Sequence, residues 1–287
     1  MEKKLCLITG ANSGIGKAAA IQIAQKDLKV LVGSRNRERG LAALEEIRKR
    51  SGNNDVELII IDMSSQNSIK EAVDEINATY DRLDVLIHNA ADFDISRKKP
   101  IFSNDNIETV WATNHIGPVL LTNLLLDKIK QSEQGRIITI ASQGLMLHPF
   151  IKIDLDDPEF RKSSFSVEKA YYQSKLAQVM YTYWLSEELK NTGITVNCIR
   201  VTNVKIDIRR YPNLSKLMKF MYSIKSRFSI SPDEMAKIYT YLAISQETST
   251  VTGRYFDEKG KIVSSSAYSR NKNNISNLMS VTTKYIK

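Results

Sequence analysis

Tyr171 and Lys175 stand four residues apart in the stretch Ala170-Tyr171-Tyr172-Gln173-Ser174-Lys175-Leu176-Ala177. On a helix that step places both side chains on one face. A free tyrosine has a pKa of about 10. A neighbouring ammonium favours the phenolate, which brings proton transfer at the phenol within reach of neutral pH. Tyr172 is a rival phenol, but the four-residue step to Lys175 selects Tyr171. The spacing is common by chance, and its meaning comes from how the chain opens.

Leu5-Cys6-Leu7-Ile8-Thr9 is a short apolar run of the kind that forms a buried parallel strand. It leads into Gly10-Ala11-Asn12-Ser13-Gly14-Ile15-Gly16, and then into the helix formers Lys17 to Ala24. Strand, glycine-rich turn and helix in that order make a phosphate site. Gly10 permits the sharp turn, and Gly14 and Gly16 let backbone amides approach a pyrophosphate. The helix N-terminus adds free N–H groups and the positive end of a dipole.

The glycines follow T-G-x-x-x-G-I-G through Thr9, Gly10, Gly14, Ile15 and Gly16. Further on come Asp62-Met63 after a third apolar run and His88-Asn89-Ala90-Ala91 after a fourth. Asn114 lies in Thr113-Asn114-His115-Ile116-Gly117-Pro118, and Ser142 follows the run 136–141. In this order, from residue 5 to about 200, the segments resemble the short-chain dehydrogenase/reductase family. The nearest resemblance is to its retinol-dehydrogenase-like branch, through Arg35-Asn36, Asp62-Met63-Ser64-Ser65 and the Tyr171–Ala177 stretch. It implies an α/β, doubly wound parallel sheet (Rossmann fold) of seven strands flanked by helices, in the order 3-2-1-4-5-6-7.

The resemblance also implies roles. Tyr171 would exchange a proton with the substrate oxygen, and Ser142 would donate a hydrogen bond to it. Lys175 would support Tyr171 and bond the nicotinamide ribose. Asn114 would hold a water linking Lys175 to solvent. The cofactor would rest on Gly10, Asn12, Ser13, Gly14, Ile15, Gly16, Arg35, Asn36, Asp62, Met63, Asn89 and Ala90, together with Tyr171 and Lys175. Asp62 and Met63 would flank the adenine, and Asn89 and Ala90 would line the path to the nicotinamide ribose.

The second strand, Lys29-Val30-Leu31-Val32-Gly33, ends without the acidic residue that would grip a ribose 2′-hydroxyl. Ser34-Arg35-Asn36-Arg37 follows instead, and a guanidinium binds phosphate bidentately. NADP(H) is therefore expected over NAD(H). Arg37, Arg39 and Lys17 could add positive charge or simply face solvent.

The chain has 287 residues, enough for one domain with an extension. A catalytic domain is expected over 1–263, with a substrate lid at 205–230 and a polar C-terminal extension at 264–287. Apolar runs alternating with helical stretches argue for βα units. The extension is rich in Ser, Asn and Lys, which suggests mobility, but 275–286 could form a docking helix. No apolar stretch reaches the roughly 18 residues of a membrane span, and the N-terminus leaves no room for a leader before the first strand. Cys6 and Cys198 read as buried, unpaired thiols on strands that are not neighbours, which fits a reducing cytoplasm. His88, His115 and His148 lack metal-ligand spacing, so no metal is expected.

Residues 205–287 hold 15 Lys+Arg against 6 Asp+Glu, so the whole formal charge of +9 falls there. Within it, Leu214, Leu217, Met218, Met221, Ile224 and Phe228 share a helix face, with Lys216, Lys219, Lys225 and Arg227 mostly off it. Three readings stay open: a helix covering the core, a lid for a hydrophobic substrate with an acidic group, or peripheral contact of 205–228 with an anionic membrane. No nucleic-acid recognition module is present. The Pro-Gly that family members often carry after the sixth strand is replaced by Arg200-Val201-Thr202-Asn203-Val204. His88 and Ala91 are milder departures from the family's N-N-A-G.

The expected activity is therefore NADP(H)-dependent interconversion of a carbonyl and an alcohol on a hydrophobic small molecule. A non-catalytic NADP(H)-sensing protein is the alternative. The resemblance also allows a homo-oligomer through surface helices.

Overall fold

A computed structural model of the protein describes residues 3–205, 226 and 229–286. Its centre is a seven-stranded sheet in the order β3-β2-β1-β4-β5-β6-β7, all neighbours parallel. The strands are β1 (Leu5–Thr9), β2 (Lys29–Ser34), β3 (Val56–Ile60), β4 (Val85–His88), β5 (Arg136–Ser142), β6 (Thr195–Val201) and β7 (Arg254–Phe256). Fold class and strand order are those expected.

Near-continuous apolar runs form these strands because both faces of the sheet are covered. Successive side chains point to opposite faces. Cys6, Ile8, Val30 and Val32 pack beneath α1 (Gly14–Ala24), α2 (Arg37–Ser51) and α7 (Pro232–Ile244). Leu5, Leu7 and Leu31 pack on the other side, under α3 (Gln66–Thr79), α5 (Gly117–Lys130) and α6 (Val167–Glu188). Ala18, Ala19, Ala20 and Ala24 keep α1 thin, so it lies close to the sheet and to α7. Pro232 begins α7, with Ser231 as its cap accepting the Glu234 N–H at 3.0 Å. Cys6 and Cys198 are both free and buried, as expected.

One helix departs from regular geometry. After the short α4 (Thr109–Trp111), residues Ala112–Ile116 form a π turn before α5 resumes at Gly117. Such widened turns are rare and concentrate at functional sites. Asn114 lies inside this one. Gly117 follows it because a Cβ there would sit 2.2 Å from the Met63 carbonyl oxygen. The helix is thereby pressed directly onto the loop after β3.

The expected mobile tail is not what the structure shows. Residues 267–282 form α8 (Ala267–Arg270) and α9 (Lys272–Thr282). Ile275 and Leu278 join Trp111, Ile116, Leu176 and Met180 in one buried cluster. His115 shares a 2.8 Å hydrogen bond with Thr282. A docking helix is present as expected, but over Lys272–Thr282 instead of 275–286, and it backs onto the π turn and α6.

After β6, the segment lacking Pro-Gly makes a parallel bridge between Val204 and Ile230. The Lys205 N–H donates to the Ile230 carbonyl at 2.9 Å, and the Ile230 N–H to the Asn203 carbonyl at 3.0 Å. Most of the expected 205–230 lid, with its apolar face of Leu214, Leu217, Met218, Met221, Ile224 and Phe228, lies outside the described residues. No helix among the described residues is long and apolar enough to cross a membrane.

Gly117→Ala should cost about 1–3 kcal/mol or more, because main chain, not a flexible side chain, opposes the new methyl. Urea unfolding measures this, and an unchanged midpoint would remove the close approach from the account.

Candidate active site

The glycine turn is built as a cradle. Gly10 and Gly14 adopt φ of +65° and +57°. A Cβ at Gly16 would fall 2.3 Å from the Asn89 side-chain nitrogen. That amide donates to the carbonyls of Thr9 at 3.0 Å and Gly10 at 3.2 Å, and so pins the turn to the end of β4. The Ala90 N–H donates to the Thr9 hydroxyl at 3.0 Å. Tyr239 on α7 reaches the Asn89 side-chain oxygen at 3.3 Å. Asn89 and Ala90 thus border the turn, as expected, and also hold it in shape.

Ser13 is the N-cap of α1, but its hydroxyl accepts no capping hydrogen bond, and no acidic residue lies in the first turn. Asn12, Ser13 and Ile15 are half-buried, and Gly14 is exposed. The helix end therefore offers unspent N–H groups to an anion. An Ala11-to-Gly33 backbone bond of 3.1 Å ties this turn to the end of β2. Arg35, two residues beyond Gly33, is exposed and forms no ion pair among the described residues. Asn36 has a structural duty as the N-cap of α2, accepting the Arg39 N–H at 2.9 Å. Lys17 is committed elsewhere, in an ion pair with Glu46 on α2, so the expected extra charge for a phosphate does not come from it.

Asp62 closes β3 in a tight turn: its Oδ1 accepts from the Ser64 N–H at 2.9 Å and hydroxyl at 2.7 Å. The Met63 side chain is buried among Ile59, Ile61 and Ile69. The Met63 carbonyl faces Gly117, so neither side chain nor carbonyl of residue 63 lies open to an adenine. These elements fit a dinucleotide: a cradle that a Cβ would fill, an uncapped helix end and a free guanidinium beside it.

The chemical group of residues lies where α6 crosses the end of β5. Ser166 caps α6, accepting the Lys169 N–H at 3.3 Å. Lys175 is 2% exposed, and its Nζ donates to the Ile140 carbonyl at 2.9 Å. Nζ also stands 5.6 Å from the centroid of the Tyr171 ring. The four-residue step thus places cation and phenol together, as the helix periodicity requires. Burial pushes the Lys175 amine down from 10.5 to about 8. Ser142 ends β5, two residues after Ile140. Its oxygen accepts the Gly144 N–H at 3.1 Å. A hydroxyl has one donor and two acceptor positions, so this leaves its proton available to a ligand oxygen. Tyr172 sets its ring against Gly144, 4.3 Å from that of His148 and 5.3 Å from that of Tyr171.

Asn114, 1% exposed, faces the same helix. Its Oδ1 accepts the Asp92 N–H at 2.7 Å; its amino group donates to the Asp92 carbonyl at 3.2 Å and the Ser174 hydroxyl at 3.0 Å. Both amino protons are therefore spent. The water expected on behalf of Lys175 would need the remaining lone pair of Oδ1 or the main chain of the π turn. Phe93 and Ser174 escaped the sequence reading. Phe93 packs on Tyr171, ring centroids 4.3 Å apart, and the Ser174 hydroxyl donates to the Tyr171 carbonyl at 2.7 Å. Ser174 could have been found from its three-residue step to Tyr171; Phe93 carried no periodic signal.

His88 and His115 are buried, and burial holds both rings neutral, near pKa 3. His88 bonds Thr122 at 2.7 Å and serves the core.

Beside Tyr172 opens a cleft of about 670 Å³ whose lining mixes Leu147, Phe150 and Ile153 with Asp154, Glu168 and Lys169. Leu147 and Phe150 are 81% and 91% exposed.

Comparison with known proteins agrees with this architecture. The sequence profile described as short chain dehydrogenase matches residues 4–151. Human retinol dehydrogenase 13 is 34% identical over 257 residues, 88% of this chain and 76% of that protein. Mouse retinol dehydrogenase 11 is 31% identical over 255 residues, 89% of this chain and 78% of that protein. A crystal structure from Mycobacterium paratuberculosis superposes with a TM-score of 0.74 at 23% identity, over 98% of this chain and 92% of that one. A short chain dehydrogenase from Shigella flexneri, complexed with NADP, gives 0.67 at 21% identity, over 90% and 98%. These two show the fold. By the extent of sequence shared along its length, the chain belongs to the short-chain dehydrogenase/reductase family, on the retinol-dehydrogenase-like branch.

Proposed function

We propose that the protein is an NADP(H)-dependent oxidoreductase that interconverts a carbonyl and an alcohol on a hydrophobic small molecule. The observation that carries this reading is Lys175: a lysine buried at an energetic cost, anchored on β5 and set beside one phenol. The bound nicotinamide supplies the hydride. The protein manages the proton. The Tyr171 hydroxyl gives it to, or takes it from, the substrate oxygen. The Lys175 ammonium stabilises negative charge on the phenol oxygen in a site screened from water. The Ser142 O–H holds the substrate oxygen by donating to it.

Arg35 supports the choice of NADP(H), since a guanidinium beside the dinucleotide cradle is free to take a 2′-phosphate. The NADP bound by the Shigella relative lends weight to this. The names of the retinol dehydrogenases and the exposed Leu147 and Phe150 at the cleft favour a hydrophobic substrate, such as a retinoid, steroid or fatty aldehyde. A small-molecule partner is all this chemistry requires. A cytoplasmic location remains our expectation from the sequence.

NADPH oxidation screened against aldehydes and ketones of graded size tests the reading. Binding of NADPH with no turnover of any of them would favour the sensor instead. Tyr171→Phe should lower turnover by about 100- to 10,000-fold, the range for a lost general acid or base, with NADPH affinity within a few fold. A variant retaining most activity defeats the assignment. Arg35→Asp should shift the kcat/KM preference toward NADH by on the order of 10- to 100-fold, from the loss of a charge-assisted pair; unchanged selectivity means another group reads the 2′-phosphate.

The cost of Lys175 is measurable. Between pH 8 and 10.5 the unfolded chain keeps a proton that the folded lysine has released, so wild-type stability rises with pH across that window. At pH 7 the folded protein carries the full penalty of roughly 3 kcal/mol. The hydrogen bond to Ile140 offsets about 1 kcal/mol. Lys175→Met should therefore be inactive yet more stable than wild type at pH 7, by about 2 kcal/mol on this balance, with the advantage shrinking toward pH 10. Urea unfolding at both pH values reads this, and a variant less stable at pH 7 contradicts it.

A further inference from the structure

Arg97 lies in the loop between β4 and α4, far in sequence from α6. It is 12% exposed by side chain, and its guanidinium forks onto Asp92: Nη1 to Oδ2 at 2.9 Å and Nη2 to Oδ1 at 3.0 Å. Nη1 also donates to the Thr109 hydroxyl at 2.9 Å, and that hydroxyl donates to Asp92 Oδ2 at 2.9 Å. Glu108, fully buried, brings Oε1 to 3.7 Å from the same nitrogen. Glu108 itself caps α4, with Oε2 accepting the N–H groups of Val110 and Trp111, each at 3.0 Å. A bidentate pair with a third anchor on the start of the helix fixes the loop in both distance and orientation.

The held residue, Asp92, is the one that grips the active site. Its N–H and carbonyl are both bonded by the Asn114 side chain, at 2.7 and 3.2 Å. Asn114 continues to the Ser174 hydroxyl, and that hydroxyl to the Tyr171 carbonyl. The next residue, Phe93, lies against the Tyr171 ring. Two adjacent loop positions are thus joined to Tyr171, Asp92 to its backbone and Phe93 to its ring.

We propose that Arg97 is a positioning residue for the reaction, clamping Asp92 so that Phe93 and Asn114 hold Tyr171 at the reacting oxygen. This rests on Tyr171 being the proton-transfer group. Its effect passes through Asp92, with Thr109 and Glu108 as the anchor on α4. Lysine replaces it poorly, because an ammonium cannot fork onto a carboxylate. Loss of the clamp leaves the fold standing, since the Glu108 carboxyl, raised to about 7 by burial, can take up a proton in place of its partner.

Arg97→Met, Arg97→Lys and Asp92→Asn are to be compared with wild type in kcat, KM and NADPH affinity. A displacement of about 1 Å at a reacting group costs on the order of 100-fold. The expected result is a fall in kcat of that order for Arg97→Met, with KM and NADPH affinity within about threefold, and partial recovery in Arg97→Lys. Arg82→Met, which breaks the ion pair with Asp84 at the start of β4, serves as a control for stability alone and should leave kcat unchanged. An unchanged kcat in folded Arg97→Met overturns the proposal, as does an equal fall in Arg82→Met. Hydrogen exchange on the NADPH complex gives a readout independent of turnover. Arg97→Met should speed exchange at residues 112–117 and 171–175, whereas acceleration confined to 91–97 also overturns it. If wild type turns over no carbonyl, the catalytic reading fails by itself, and exchange still decides whether the clamp exists.

Discussion

The hydrogen bond from Lys175 to the Ile140 carbonyl is the contact that the rest of the site depends on. It draws a cation out of water and ties α6 to β5 two residues before Ser142. Because Nζ is held there, the phenol one turn earlier on α6 has a charge beside it and a hydroxyl close in the chain. The desolvation penalty is the physical sign that this lysine was not placed for stability. Its neighbours on α6, Leu176 and Ala177, are ordinary core residues, so the helix would pack as well with an apolar side chain at 175.

Around that contact the sheet acts as a frame with two working ends of neighbouring strands. The ends of β1 and β4 carry the dinucleotide cradle, locked by Asn89 onto the Thr9 and Gly10 carbonyls. The end of β5 carries Ser142 and the anchor for Lys175. The π turn lies against both regions: Gly117 presses on the loop after β3, and Asn114 reaches across to Asp92 and Ser174. The C-terminal α9 supports the back of that turn through Thr282 and His115. The glycine cradle and the Tyr171–Lys175 pair are therefore carried by one sheet.

Much of this was readable from the residues alone, because its signals are local. The glycine turn and the Tyr171–Lys175 step follow from periodicity and from what each residue type permits, and the strand order follows from the family resemblance those motifs carry. Where the reading ran out, the cause was tertiary. Ala112–Ile116 looks like any helix, and only the meeting of Gly117 with the Met63 carbonyl distinguishes its register. Lys17 looked available to a phosphate, yet Glu46, 29 positions away, claims it. The Ser- and Asn-rich tail read as mobile, though Ile275, Leu278 and Met279 already carried the three- and four-residue spacing of a buried face. Asp92 and Arg97 carried no periodic signal, because a loop has none.

The bridge between Val204 and Ile230 brings together the two boundaries of a long stretch of chain. Two main-chain hydrogen bonds flank the bridge, so the chain leaves β6 and returns to α7 side by side. Lengthening such an excursion adds entropy only logarithmically, about 0.6 kcal/mol per doubling. A change of chain length at this point is therefore thermodynamically cheap for the described sheet and helices.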